Sequence, residues 1–255
     1  MRKNMNTFVA VFTLILATSI PTQSFGAPVS SPGKTSGNGP CATSGITNSQ
    51  TQSIKNPNKS CYEVGPGGGI IFYYSEAGFS EPGATCDPSC HYLEYAPAGW
   101  YTGGVPSTDP ILQWSATPNA LANASGIVIG TGLANTAAMY TQDQTSGYAG
   151  TAARSYSGSD SSAGQWFLPS KNELYELCKY VNGEPTGPGT GNCTPGNWNT
   201  SLTVSGGFHI GPYSSSTEIS AGYQLIITSF GGVLDFVNFA TRKDIGQFIR
   251  PIRAF

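Results

Sequence analysis

Trp166-Phe167-Leu168-Pro169-Ser170-Lys171-Asn172-Glu173-Leu174 runs from an apolar segment straight into a helix start. Pro169 suits an extended approach to the cap. Ser170 and Glu173 stand at the capping-box spacing, where the hydroxyl accepts from the third helical amide and the carboxylate accepts from the cap amide. Leu174, Leu177, Cys178 and Val181 then fall at i, i+3, i+4 and i+7, which predicts one apolar helix face. Asn182-Gly183 supplies the stop.

Working outward, Leu133, Ala134, Ala137 and Ala138 share helical spacing within 131–139, and a shorter helix is expected over 149–156. Gly65-Pro66-Gly67-Gly68-Gly69 is a turn cluster, and Ile70-Ile71-Phe72-Tyr73-Tyr74 behind it reads as a buried strand. A second strand is expected over 92–96, stopped by Pro97. After Gly206 the pattern predicts strands at 223–227, 233–239 and 248–254, and the Gly-rich stretch 183–197 reads as a loop insertion. Short strands, two or three helices, then short strands describe an α+β domain with long loops over residues 61–255.

The N-terminus carries an export signal. Arg2 and Lys3 precede the apolar core 8–17, and Ser24-Phe25-Gly26 puts small residues where a signal peptidase reads, so 1–26 is expected to be a signal peptide. Its apolar core is shorter than the roughly 20 residues a spanning helix needs. Removing it takes away two cations and no acid, so the formal charge of −2 becomes −4. A mildly acidic chain without a Lys/Arg cluster argues against nucleic acid, and no membrane span is expected once the signal is removed. Charged residues make up 10% of the chain, against about 25% in ordinary soluble domains. Residues 27–60, rich in Ser, Pro, Gly, Asn and Thr, read as a flexible leader.

All six cysteines follow the signal. An even number in an oxidising compartment implies disulfides. The pairing is open from sequence, and nearest neighbours are expected: Cys41–Cys61, Cys86–Cys90 and Cys178–Cys193. The expected location is therefore secreted, extracellular or attached to the cell surface.

Motifs for chemistry are sparse. The glycines at 65–69 precede a strand, whereas a phosphate loop follows one and opens a helix. Cys86-Asp87-Pro88-Ser89-Cys90-His91 is one residue longer than a haem-attachment motif, and an oxidised pair cannot bind zinc. There is no G-x-S-x-G elbow, and His91 and His209 are the two histidines. Glu218, Asp235 and Asp244 could supply oxygens for calcium, which stays open, although no dense Asp/Asn loop of EF-hand type is present. No catalytic residue, metal ligand or cofactor is assigned. Aromatic rings beside polar, Gly-rich segments are the more useful signal: Trp100 with Tyr101, Trp198 between two asparagines, and Tyr213 before three serines. Such rings bury area on a ligand face while their neighbours hydrogen-bond. Trp198, Tyr213, Trp100 and the nearby carboxylate Glu218 are the candidate ligand contacts.

The run from Trp166 to Leu174 also resembles the "W-x-L-P-S-x-x-E-L" segment of the Lcl C-terminal domain family, exported bacterial domains with a C-type-lectin-like fold. Further segments fit in order: Val64 to Tyr73, Leu93-Glu94-Tyr95-Ala96-Pro97, Ile129 to Thr136, Ser215-Ser216-Thr217-Glu218, and the closing Arg250-Pro251-Ile252-Arg253-Ala254-Phe255. Ser214 departs from the family's Trp, and Cys86–Cys90 and 183–197 look like local additions. The resemblance implies that the first and last strands pair, that loops form the ligand face, and that Arg250 and Arg253 serve structural hydrogen bonds. It implies a non-enzymatic binding module with a glycan or protein ligand, in an adhesion-type role. The family's founding member binds sulfated glycosaminoglycans, but this chain's acidic balance disfavours a polyanion. The alternatives are an enzyme of the related formylglycine-generating group, which needs reactive cysteines or copper-type ligands, and a structural envelope protein. Oligomeric state has no signature here.

Overall fold

Ser170 caps its helix as the spacing demands. The computed structural model describes residues 39–40, 61–102, 109–190, 193–194, 208–209, 211–230 and 239–255. In chain order these hold β1 (Gly39–Pro40), β2 (Cys61–Tyr62), β3 (Ile70–Phe79), β4 (Cys90–Tyr95) and β5 (Ile111–Leu112). The helices follow: α1 (Gly132–Gln142), α2 (Ala149–Ser155) and α3 (Lys171–Asn182). The chain closes with β6 (Gly211–Ser220), β7 (Tyr223–Phe230), β8 (Phe239–Arg242), β9 (Gln247–Phe248) and β10 (Ile252–Ala254). The expected signal peptide, Cys41 and Trp198 lie outside the described residues.

At α3 the Glu173 carboxylate accepts the Ser170 amide at 2.6 Å, completing the capping box. Gly183, in the left-handed region at φ 77°, closes the other end. There Gly183 N–H donates to Tyr180 and Glu184 N–H to Lys179, a Schellman stop. The predicted apolar face is buried, but so is every residue from Glu173 through Asn182. The stretch expected as an inserted loop covers the polar side. Glu176 accepts Gly187 N–H at 2.8 Å, Lys179 pairs with Glu176 and donates to Thr190, and the Cys178–Cys193 disulfide ties the far end.

Three sheets are described: the β1–β2 pair, the order β10-β4-β3, and the order β5-β9-β6-β7-β8. The β1–β2 pairing places Gly39–Pro40, within the expected structureless leader, in a ladder with Cys61–Tyr62. In the second sheet β4 lies between β3 and β10, so the expectation that first and last strands pair is corrected. The outer edge of β3 is met by the chain before it, through Ile71 N–H to Glu63 O at 2.9 Å and the Val64–Ile70 bridge. That leaves the free edge of β4 for β10.

The strand expected over 248–254 is two strands in different sheets. Pro251 has no amide to donate, and the chain crosses at Ile249-Arg250-Pro251 from β9, beside β5 and β6, to β10, beside β4. The strand expected at 233–239 lies outside the described residues except for Phe239, where β8 begins. Helix α3 packs against β3, β6 and β7. One core surrounds it, with Phe72, Leu93, Tyr95, Leu177, Val181, Ile227 and Ile252. A second core lies by α1 and α2, built on Trp100, Trp114, Met139, Trp166, Leu168 and Ile249.

Candidate functional site

Among the described residues, much of the charge is internal, with Glu94, Asp109, Glu218, Lys243, Arg250 and Arg253 all buried. The glycine cluster at 65–69 does present its amides to an anion, but the anion is the protein's own Glu94. Gly67 N–H and Gly69 N–H reach the two carboxylate oxygens at 3.0 and 2.9 Å, and Arg253 donates to Glu94 at 2.6 Å. A Cβ on Gly67 would sit 2.5 Å from Glu94 and 2.9 Å from Arg253, so the close approach itself selects glycine.

Asp109 is a second hub. Arg250 grips it bidentately at 2.6 and 2.9 Å, the Tyr213 hydroxyl donates at 2.6 Å, and the Trp100 indole N–H donates at 3.0 Å. The Arg250 guanidinium also lies 4.1 Å from the Phe208 ring centroid. Arg250 and Arg253 thus serve structural bonds, as expected. Tyr213 is fully buried, and burial together with the Asp109 charge pushes its phenol well above the ordinary value. As a ligand contact Tyr213 is corrected: its one polar atom is engaged inside.

Glu218 is likewise internal. Its carboxylate receives Lys243 at 2.5 Å and the amides of Ala122 and Asn123 at 2.8 and 2.9 Å. Burial pushes Glu218 up, but Lys243 and the amides outweigh it and hold the carboxyl below its usual range. Lys243 in turn lies 4.3 Å from the Trp114 ring centroid. Asp244 pairs with Arg242, and Asp235 lies outside the described residues. The oxygens suggested for calcium are therefore committed to cations at Glu218 and Asp244. Cys86 and Cys90 form a disulfide, which removes them as haem or zinc ligands.

Glu81 and Glu173 form a pair that the sequence reading missed. Both are buried where α1 and α3 begin; Glu81 accepts Leu133 N–H at 2.8 Å, and Glu173 accepts Gly130 N–H at 2.8 Å. Burial and the neighbouring Glu173 charge push Glu81 up to about 10, so it holds its proton at neutral pH. Neither carboxyl lines a described cleft, and their local role is to cap two helices.

Among the described residues, a surface feature with ligand-binding chemistry is a cleft of about 360 Å³ between the 97–102 turn and the end of α2. Trp100 forms its floor, with Tyr101 and Tyr156 half-buried beside it. The rings run as a chain: Tyr101 to Trp100 at 5.4 Å, Trp100 to Tyr156 at 5.8 Å edge-on, and Tyr156 to Trp166 at 4.9 Å edge-on. Trp100 is locked by Asp109 and Trp166 by Ser161 at 2.6 Å. Thr102, Ser155 and Ser157 are exposed around the rim. Of the predicted contacts the structure places Trp100 here, while Tyr213 supports it from beneath through Asp109. Tyr156, by its sequence only the end of a helix, enters the cleft because α2 stops at Ser155. A second depression, of about 440 Å³, lies between Tyr74 and the 185–190 loop and has Tyr74 as the single aromatic ring among its described lining residues. Compared with family models, curated proteins and solved structures, the chain matches none.

Proposed function

We propose that the protein is an exported, non-enzymatic binding module of C-type-lectin-like fold. It belongs by its motifs with the Lcl C-terminal domains and takes part of a glycan or protein ligand into the Trp100 cleft. The observation that carries this reading is the cleft itself: a fixed indole flanked by two half-buried tyrosines and rimmed by hydroxyls. Rigid rings bury area at low entropic cost while hydroxyls orient the ligand. Two disulfides, and the absence among the described residues of a helix long and apolar enough to cross a membrane, are compatible with an extracellular location. The formylglycine-generating alternative needs reactive cysteines, and four of the six are paired in these disulfides.

A glycan-array screen of the oxidised protein, with calcium and again with chelator, tests this reading. Selective binding that disappears in Tyr101→Ala and Tyr156→Ala is the expected result. A blank from a folded sample contradicts the glycan half of the reading and leaves a protein ligand.

A further inference from the structure

We infer that the Trp100 cleft accepts an uncharged pyranose ring and rejects sulfated or carboxylated sugars. This rests on the binding-module reading and names its ligand class. None of the ten described residues lining the cleft carries a charge. Nor does any residue from 97 to 108 along the chain, and within 149–158 Arg154 is the sole charged residue. Its guanidinium lies over the Tyr140 ring of α1, 5.1 Å from the centroid, and does not line the cleft.

The charges beneath the floor are already matched. Asp109 is held by Arg250, and Glu94 by Arg253 and two glycine amides. The Tyr156 phenol is pushed up first by burial and then by the Glu94 charge, so it remains a neutral hydroxyl. An anionic group entering this cleft would shed water without gaining a cation, which is costly. An uncharged sugar needs no cation: its C–H face lies against the tyrosine rings while its hydroxyls meet Thr102, Ser155 and Ser157. A volume of about 360 Å³ is at the small end for ligand sites, enough for one ring of a chain at a time.

The test is calorimetric titration of the oxidised protein with uncharged gluco-, manno- and galacto-oligosaccharides and with heparin, in low salt and in about 0.5 M salt. An uncharged oligosaccharide is expected to bind with a Kd that moves less than about two-fold with salt. Chelator should leave that Kd unchanged, because no described lining residue offers a carboxylate or imidazole. Tyr156→Ala should weaken it about ten-fold or more while Tyr156→Phe retains most of it, with near-ultraviolet dichroism reporting the fold of each variant. Heparin binding more tightly than every uncharged sugar, and fading with salt, overturns the inference but leaves a binding module. Uncharged-sugar binding that survives Tyr156→Ala overturns the placement in this cleft. No binding of any sugar to folded protein overturns the inference together with the glycan half of the reading above.

Discussion

Single residues here hold charge inside the protein. Asp109 accepts from Arg250, Tyr213 and Trp100, and both Asp109 and Arg250 are nearly or wholly shielded from solvent. Asp109→Ala leaves a buried guanidinium unpaired, which costs about 3–5 kcal/mol. Urea unfolding should show a loss of that size; a loss under 1 kcal/mol would contradict the hub. Glu81 adds a pH signature. Its ordinary value of 4.5 rises to about 10 on folding, so the folded state keeps a proton that the unfolded state releases. Stability from this group is therefore fully present below 4.5 and is lost progressively as pH climbs from there toward about 10. Glu81→Gln keeps the neutral donor and should flatten that slope, making the variant more stable than the parent at pH 9. Little of this was legible in the sequence. Asp109 and Arg250 are 141 residues apart, and nothing local to either names its partner.

At the scale of elements, α3 was the most legible because its signals are local. The capping box, the i, i+3, i+4 spacing and the Gly183 stop all act within a few residues. Ser170→Ala should cost about 1–2 kcal/mol, since Ser170 is fully buried and its hydroxyl also donates to Val128 O at 2.9 Å. The Cys178–Cys193 disulfide closes a separation of 15 residues, so replacing both cysteines with serine should cost about 3 kcal/mol. Scanning calorimetry would read both losses. Strand β6 was the least legible. Its run of serines and threonine has no apolar alternation, because the hydroxyls are spent internally. Ser214 donates to Gln224 at 2.8 Å, Ser215 to Leu225 O at 2.7 Å and Thr217 to Gly126 O at 2.7 Å. Hydropathy cannot see a strand whose buried face is hydrogen-bonded. The break between β9 and β10 was hidden for a similar reason. Arg250-Pro251 looks like an interruption in one strand, whereas it carries the chain from one sheet to the other.

At the scale of the molecule, the two larger sheets and α3 hold one core, and α1, α2 and three tryptophans hold the other. The cleft opens over the second, where Trp100 is fixed from below by Asp109. Trp100 and Tyr101 were visible in sequence as adjacent rings before a glycine turn. Tyr156 was not, because the fold brings it alongside from 56 positions away. Trp198, the other indole singled out from its polar neighbours, offers the natural contrast. The protein has four tryptophans, and 5-fluorotryptophan labelling gives each its own fluorine resonance, assignable with single Trp→Phe variants. The decisive measurement is the fluorine spectrum during titration with the oligosaccharide that binds best in calorimetry. The account predicts that the Trp100 resonance shifts in proportion to occupancy while Trp114, buried beneath Lys243, stays in place. A shift confined to Trp198, with Trp100 unmoved at saturation, would contradict it.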